Sequence, residues 1–111
     1  MIVTNVTIGG GEIKELCSVK LITMEFSTIL DVRTREEYRM GHVKDSLNIP
    51  LQEIPSHLEQ IKSLPGPILL CCASGNRSGQ ATIFLRNMGI ACENGGSWLT
   101  VNYFVQQREK V

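Results

Sequence analysis

Short apolar runs alternate along the chain with stretches whose apolar residues recur at helical spacing. Thr28-Ile29-Leu30-Asp31-Val32 is a compact β-rich run that predicts a central strand, and Arg35 to Met40 predicts a short helix closing at Gly41. Ser46 to Ile49 predicts another short strand. Pro50 to Ile61 predicts a loop and a helix, with Leu58 and Ile61 as core contacts and His57 exposed. Leu64-Pro65-Gly66-Pro67 breaks the chain before Ile68-Leu69-Leu70-Cys71-Cys72, an apolar run expected as a buried strand. Ala81, Phe84, Leu85 and Met88 then follow helical spacing, with Ser78 able to start that helix and Gly89 able to end it. Ile90 to Glu93 predicts a last strand and Trp98 to Gln106 a closing helix. The first quarter is less regular. Met1 to Ile8 reads as an edge strand, Gly9-Gly10-Gly11 punctuates it, Ile13, Leu16 and Cys17 make a helical stripe, and Lys20 to Phe26 fits helix or strand.

Strand and helix alternate, which implies an α/β fold in three layers: a central, mostly parallel sheet with helices on both faces. In such sheets the reactive site lies beyond the carboxyl ends of the strands, where Cys72 falls. A length of 111 residues with no long linker predicts a single domain spanning 1–111. A chain of this size buries about two thirds of its unfolded surface, enough for one core.

Charge narrows the partners. Eleven basic and eleven acidic residues give a formal net charge of zero, mixed along the chain, so neither nucleic acid nor a membrane surface is expected as a partner. The four cysteines do not form a metal pattern: Cys71 and Cys72 are adjacent, Cys17 and Cys92 are isolated, and no Cys-x-x-Cys pair occurs. No metal is therefore expected. Met1-Ile2-Val3-Thr4-Asn5 lacks a basic segment followed by a long apolar core, and the longest apolar runs are too short to span a bilayer. A reducing, cytoplasmic setting is the expectation.

The chemistry concentrates where the strand ending at Cys72 turns into the following helix. Backbone N–H groups at a helix start have no partner, and the aligned peptide dipoles place about half a positive charge there. A cysteine facing those donors, with Arg77 near in sequence, is favoured as thiolate, the reactive form. Gly75 can adopt positive φ and let the backbone curl around the sulfur. Free cysteine is more often a small buried hydrophobe. Here a cysteine leaving a buried strand, a glycine turn, an arginine and a helix start combine in a pattern that packing does not require.

Cys72-Ala73-Ser74-Gly75-Asn76-Arg77-Ser78 resembles the active-site loop of the rhodanese-like domains, in which Cys and Arg are separated by four residues. Upstream, Leu30-Asp31-Val32-Arg33-Thr34-Arg35-Glu36-Glu37-Tyr38, Gly41-His42-Val43 and Ser46-Leu47-Asn48-Ile49-Pro50 resemble the family segment that runs from Asp-Val-Arg through Gly-His to Asn-Ile-Pro. Asn94-Gly95-Gly96-Ser97-Trp98 is similar to the Gly-Gly turn before the family's last helix. The resemblance covers Ile29 to Phe104. Two departures stand out: Lys44-Asp45-Ser46 replaces the frequent Pro-Gly-Ala, and Ala73 follows Cys72 where many thiosulfate-using members carry a basic residue.

The resemblance implies a sulfurtransferase that moves a sulfane sulfur from a small-molecule donor, such as thiosulfate or a persulfide, to a thiol, protein or cyanide acceptor through a Cys72 persulfide, without a cofactor. Cys72 and Arg77 would be catalytic, and Ala73, Ser74, Gly75, Asn76 and Ser78 would form the binding loop. Asp31 reads as a buried carboxylate accepting backbone hydrogen bonds; it, Arg33 and His42 are expected to be structural or orienting. Cys71 competes for the nucleophile. Five residues separate it from Arg77, the spacing of cysteine-dependent phosphatases and arsenate reductases. Successive strand side chains face opposite ways, so only one of the pair can enter the loop, and Gly75, three after Cys72, matches the sulfur-transfer pattern. A non-enzymatic sulfur carrier or binding module is a further alternative.

Overall fold

The computed structural model describes residues 25–109. Strands β1 (Thr28–Asp31), β2 (Leu47–Asn48), β3 (Ile68–Cys72) and β4 (Cys92–Ser97) form one sheet in the order β2-β1-β3-β4, and every pairing is parallel. The helices are α1 (Arg35–Met40), α2 (Leu58–Lys62), α3 (Asn76–Asn87) and α4 (Trp98–Glu109), with two 3₁₀ turns before α2. This is the expected α/β arrangement. The expected edge strand at Met1 to Ile8, the Gly9-Gly10-Gly11 break, the Ile13, Leu16 and Cys17 stripe and most of Lys20 to Phe26 lie outside the described residues.

All five residues of β3 are buried, as a strand covered on both faces requires. Its alternate side chains feed two cores. Ile68, Leu70 and Cys72 join Leu30, Val32, Ile61, Ala81 and Leu85 on the face covered by α2 and α3. Leu69 and Cys71 join Ile29, Val43 and Val101 on the face covered by α4, with Phe26, Trp98 and Phe104 packed against them. The period of two thus sends neighbouring cysteines to opposite sides of the sheet.

Several boundaries differ from the sequence expectation. α3 starts at Asn76 and not at Ser78, because Gly75, at φ 101°, makes the entry turn. Met88 of its apolar stripe is 43% exposed. β4 spans Cys92–Ser97 and not Ile90–Glu93: Gly89 turns at φ 83° and the Ile90 amide still donates to Leu85 O at 3.0 Å, which keeps Ile90 in the helix exit. The Gly-Gly segment is strand, not turn. A Cβ on Gly95 would lie 2.8 Å from Val101 Cγ2 and 3.0 Å from Leu70 O, so only glycine lets β4 close on β3 there. A bulge follows, with Leu70 opposite Asn94 and Cys72 opposite Ser97. The remaining shifts are small: β2 shortens to Leu47–Asn48 and α4 runs on to Glu109. His57 is half-buried instead of exposed, with Nδ1 3.0 Å from Glu53 O.

The C-terminal end of β1 is locked by a buried ion pair. Asp31 is 0% exposed and Arg33 4%. Arg33 donates from its amide and Nε to Asp31 Oδ1, both at 3.0 Å, and from Nη2 to Oδ2 at 2.7 Å. The same guanidinium donates to Glu37 O and Gly41 O of the α1 region and lies 4.6 Å above the Trp98 ring. Asp31 therefore holds a cation that ties β1, α1 and α4 together. Removing one partner of a buried pair leaves the other charge uncompensated. Asp31→Ala is expected to cost about 3–5 kcal/mol in urea unfolding; a loss below about 1 kcal/mol, the range of exposed pairs, would contradict this role.

Candidate active site

Cys72 ends β3, and Ala73, Ser74 and Gly75 carry the chain into α3. Gly75 occupies the cap position in the left-handed region, where a Cβ would come 3.3 Å from Gly96 Cα. No side chain caps this helix. The Cys72 sulfur takes that place, accepting from the Gly75 amide at 3.0 Å and the Ser78 amide at 3.4 Å, with the Ser78 hydroxyl oxygen 3.3 Å away. Ser78 occupies the third helical position, whose amide an N-cap side chain would ordinarily satisfy.

Burial pushes the Cys72 thiol up, while the Ser78 hydroxyl, when turned to the sulfur, and the amides of Ser78, Gly75 and Ser74 pull it down. The donors prevail, and the thiol lies below its ordinary value. Cys71 shows the opposite balance: burial and the nearby Asp31 charge push it far up. Burial likewise raises Cys92, whose Sγ lies 3.7 Å from Thr82 O. Cys72 is 0% exposed, so the ring closes tightly on its sulfur.

The expected site residues do not all converge. Ser78 and Gly75 face the sulfur, whereas Ala73, Ser74 and Asn76 have exposed positions on the loop. Arg77 turns to Glu37: Nη1 donates to Oε1 at 2.7 Å and Nη2 to Oε2 at 3.1 Å. The resemblance implies a catalytic Arg77; with its guanidinium paired to Glu37, the geometry fits an arginine that fixes the loop. His42 stacks on Tyr38 with ring centroids 3.7 Å apart, and its Nδ1 lies 2.8 Å from Tyr38 O, so that nitrogen carries the hydrogen. Its ring is held against α1 and makes no hydrogen bond to the loop among the described residues. Asp31 accepts one backbone amide as expected, but its main partner is the Arg33 guanidinium.

Two participants were quoted in the motifs but given no part. Glu37 closes the capping box of α1, with the Thr34 amide donating to its Oε1 at 2.9 Å, and also receives Arg77. The spacing Thr34-x-x-Glu37 is a readable capping signal, although the tie to Arg77 is not. Asn94 accepts the Ser78 hydroxyl at 2.7 Å and donates to Gly75 O at 3.1 Å. Nothing local announces that contact. Among the described residues no group of His, Cys, Asp and Glu could hold a metal ion, and no helix is long and apolar enough to cross a membrane.

A parallel sheet with a cysteine at the carboxyl end of an inner strand, its sulfur at a helix N-terminus, defines a class of α/β proteins built around a thiol in an anion-receiving loop. The Rhodanese-like domain model matches residues 13–100. The chain belongs to the rhodanese-like domain family. It is 35% identical over 69 residues to thiosulfate sulfurtransferase PspE of Escherichia coli, covering 60% of this chain and 66% of that protein. A sulfurtransferase of Allochromatium vinosum is 32% identical over 75 residues, covering 68% and 69%. The chain thus spans about two thirds of the length of these relatives. The crystal structure of a rhodanese-like domain protein from Staphylococcus aureus superposes with a TM-score of 0.62 at 31% identity, covering 80% of this chain and 85% of that one. The human single-domain sulfurtransferase TSTD1 gives 0.54 at 25% identity, covering 84% and 91%.

The Glu37 carboxyl is held down to about 2 from an ordinary 4.5, chiefly by the Arg77 hydrogen bonds and then by the Thr34 amide. A folded value below the unfolded one stabilises the protein above the unfolded value and is lost as pH falls through the folded one. The stability difference between wild type and Glu37→Gln is therefore expected to stay constant above pH 4.5 and to shrink between 4.5 and about 2, read by urea unfolding across that range. A difference that does not change over the window would dissociate Glu37 from its pair.

Proposed function

We propose that this chain is a sulfurtransferase with Cys72 as the sulfur-carrying residue. The observation that carries the reading is the position of the Cys72 sulfur at the focus of the Gly75 and Ser78 amides, with the Ser78 hydroxyl oxygen beside it. Relatives named as sulfurtransferases support it. In the first half-reaction the Cys72 thiolate attacks the sulfane sulfur of a donor such as thiosulfate or a persulfide. A sulfur–sulfur bond forms to Cys72, and the bond to the rest of the donor breaks, releasing sulfite or a thiolate. In the second, an acceptor thiolate or cyanide attacks the outer sulfur and Cys72 leaves as thiolate, which is covalent catalysis with ping-pong logic.

The loop residues Ala73, Ser74, Gly75, Asn76 and Ser78 form the binding cradle, and fixed amides stabilise charge on the transferring sulfur without reorganising. Arg77 acts by anchoring α3 to Glu37. Asp31 and Arg33 hold the end of β1 from below, and His42 orients the segment after α1. We read residues 1–111 as one domain. The free cysteines Cys71, Cys72 and Cys92 suit a reducing, cytoplasmic setting in which thiol acceptors persist. The phosphatase or arsenate reductase alternative needs Cys71 as nucleophile, and Cys71 packs among Ile29, Val43, Leu69 and Val101 with its thiol pushed far up. Nothing in the geometry favours it.

Incubation with thiosulfate or a low-molecular-weight persulfide is expected to add one sulfur atom to Cys72, located by tandem mass spectrometry, and a subsequent thiol or cyanide should remove it. Cys72→Ser should abolish the gain, and a phosphate ester should not turn over. Sulfur retained on the Cys72→Ser protein, or turnover of the ester alone, would overturn the assignment. Loading without catalytic turnover would point to a carrier that hands sulfur to its own protein partner.

A further inference from the structure

The Ser78 hydroxyl stands between two acceptors and has one hydrogen. Its oxygen lies 3.3 Å from Cys72 Sγ and 2.7 Å from Asn94 Oδ1. The Asn94 amide has a fixed sense. Its Nδ2 donates to the Gly75 carbonyl at 3.1 Å and its Oδ1 accepts the Gly96 amide at 3.0 Å, and a flip would set like groups against each other at both contacts. Two oxygens 2.7 Å apart need a hydrogen between them, and here only the hydroxyl can supply it. With that hydrogen on Asn94, Ser78 offers its lone pairs to the sulfur. That suits a neutral S–H, which can donate to Ser78, and opposes a thiolate, which cannot.

We propose that Asn94 is a positioning residue for the Cys72 sulfur: by claiming the Ser78 hydroxyl hydrogen it withholds one donor from the charged sulfur, and so limits how readily that sulfur ionises. The amides of Gly75 and Ser78 serve the thiolate in either arrangement; the hydroxyl serves it only after turning away from Asn94. During sulfur transfer the charge would leave Sγ for the outer sulfur, and the hydroxyl hydrogen could return to Asn94. The single hydroxyl would thus occupy its two positions in step with the two half-reactions. The β4 bulge at Gly95-Gly96 underlies the arrangement, since it sets Asn94 opposite Leu70 while Ser97 stands opposite Cys72. As a statement about catalysis this rests on Cys72 carrying the sulfur; the ionisation of Cys72 is measured without any sulfur donor, so the two readings fail separately.

The test is the pH midpoint of the Cys72 thiolate, followed by ultraviolet absorbance as the difference from the Cys72→Ser protein in the same background. Asn94→Ala should free the hydroxyl for the thiolate and lower the midpoint by about one pH unit, which is roughly tenfold more thiolate below both midpoints. Mere loosening of the loop would weaken the Gly75 and Ser78 amide bonds and raise it. In a Ser78→Ala background the Asn94→Ala shift should vanish, because the coupling runs through the hydroxyl. An unchanged or raised midpoint in Asn94→Ala, or an equal lowering without the hydroxyl, overturns the proposal. Should Asn94→Ala not fold, Ser78→Ala alone decides: a rise well under one unit fits a hydroxyl already held by Asn94. A rise of one unit or more means that it donates fully to the sulfur and that Asn94 withholds nothing.

Discussion

The architecture turns on an unfilled cap. A helix that starts on glycine with no capping side chain leaves its first amides without acceptors, and in α3 the third of them finds the Cys72 sulfur. The dependence runs both ways. Amides that favour the thiolate over the thiol are themselves better satisfied by it, so charge on the sulfur and order in the loop are thermodynamically linked. β3 delivers the sulfur from a strand buried on both faces, which leaves its position little freedom. Gly75 brings its own amide to 3.0 Å only by adopting a conformation that a side-chain-bearing residue rarely takes. Fixed donors around one atom are what a reaction that moves charge between sulfurs needs, because they need not reorganise as the charge shifts.

Two ion pairs support this loop, and burial separates their tasks. Asp31 and Arg33 are almost fully buried, and the guanidinium spends its remaining donors on Glu37 O and Gly41 O and its face on Trp98. Glu37 and Arg77 are about one third exposed, so water screens them more and their energy is smaller. Yet α1 has no buried residue. Its place relative to the sheet rests on polar ties: Arg33 at its C-terminal end, where a cation suits the helix dipole, and Arg77 through Glu37 near its N-terminal end. The segment carrying Tyr38 and His42 is thereby tied at its start by charge, while Val43 anchors its end in the core.

Sequence reasoning reached the parts of the fold whose causes are local. β1, α1 and β3 follow from apolar runs and proline or glycine breaks, and the placement of Cys72 and Cys71 on opposite faces follows from strand period alone. Reading failed where tertiary contact overrides local chemistry. Asn94-Gly95-Gly96 has turn composition, but its glycines serve close approach of β4 to β3, which only the neighbouring strand and α4 make necessary. Ser78 looks like a cap because serine commonly is one; Gly75 and the sulfur had already taken that task. The Arg77–Glu37 tie spans 40 residues and the Ser78–Asn94 contact 16, and no periodicity within either element signals them. The convergent site residues were legible as a set of types, whereas their pairing was not.

Register makes two identical neighbouring side chains chemically different. Cys71 pairs with Asp31 across the β1–β3 ladder and points into the core beneath α4, where burial and a nearby carboxylate both oppose charge. One residue on, Cys72 points to the α3 side, into a cluster of donors. A slip of β3 by a single position would exchange the two environments and move each set of side chains into the opposite core. The slip is opposed from both sides at once: four consecutive β1–β3 partners from Thr28↔Ile68 to Asp31↔Cys71 fix one edge. The glycine-only fit of Gly95 against Leu70 O fixes the other. Which sulfur meets the helix is therefore set partly by contacts away from it, above all the close fit of Gly95 against Leu70 O and Val101 Cγ2.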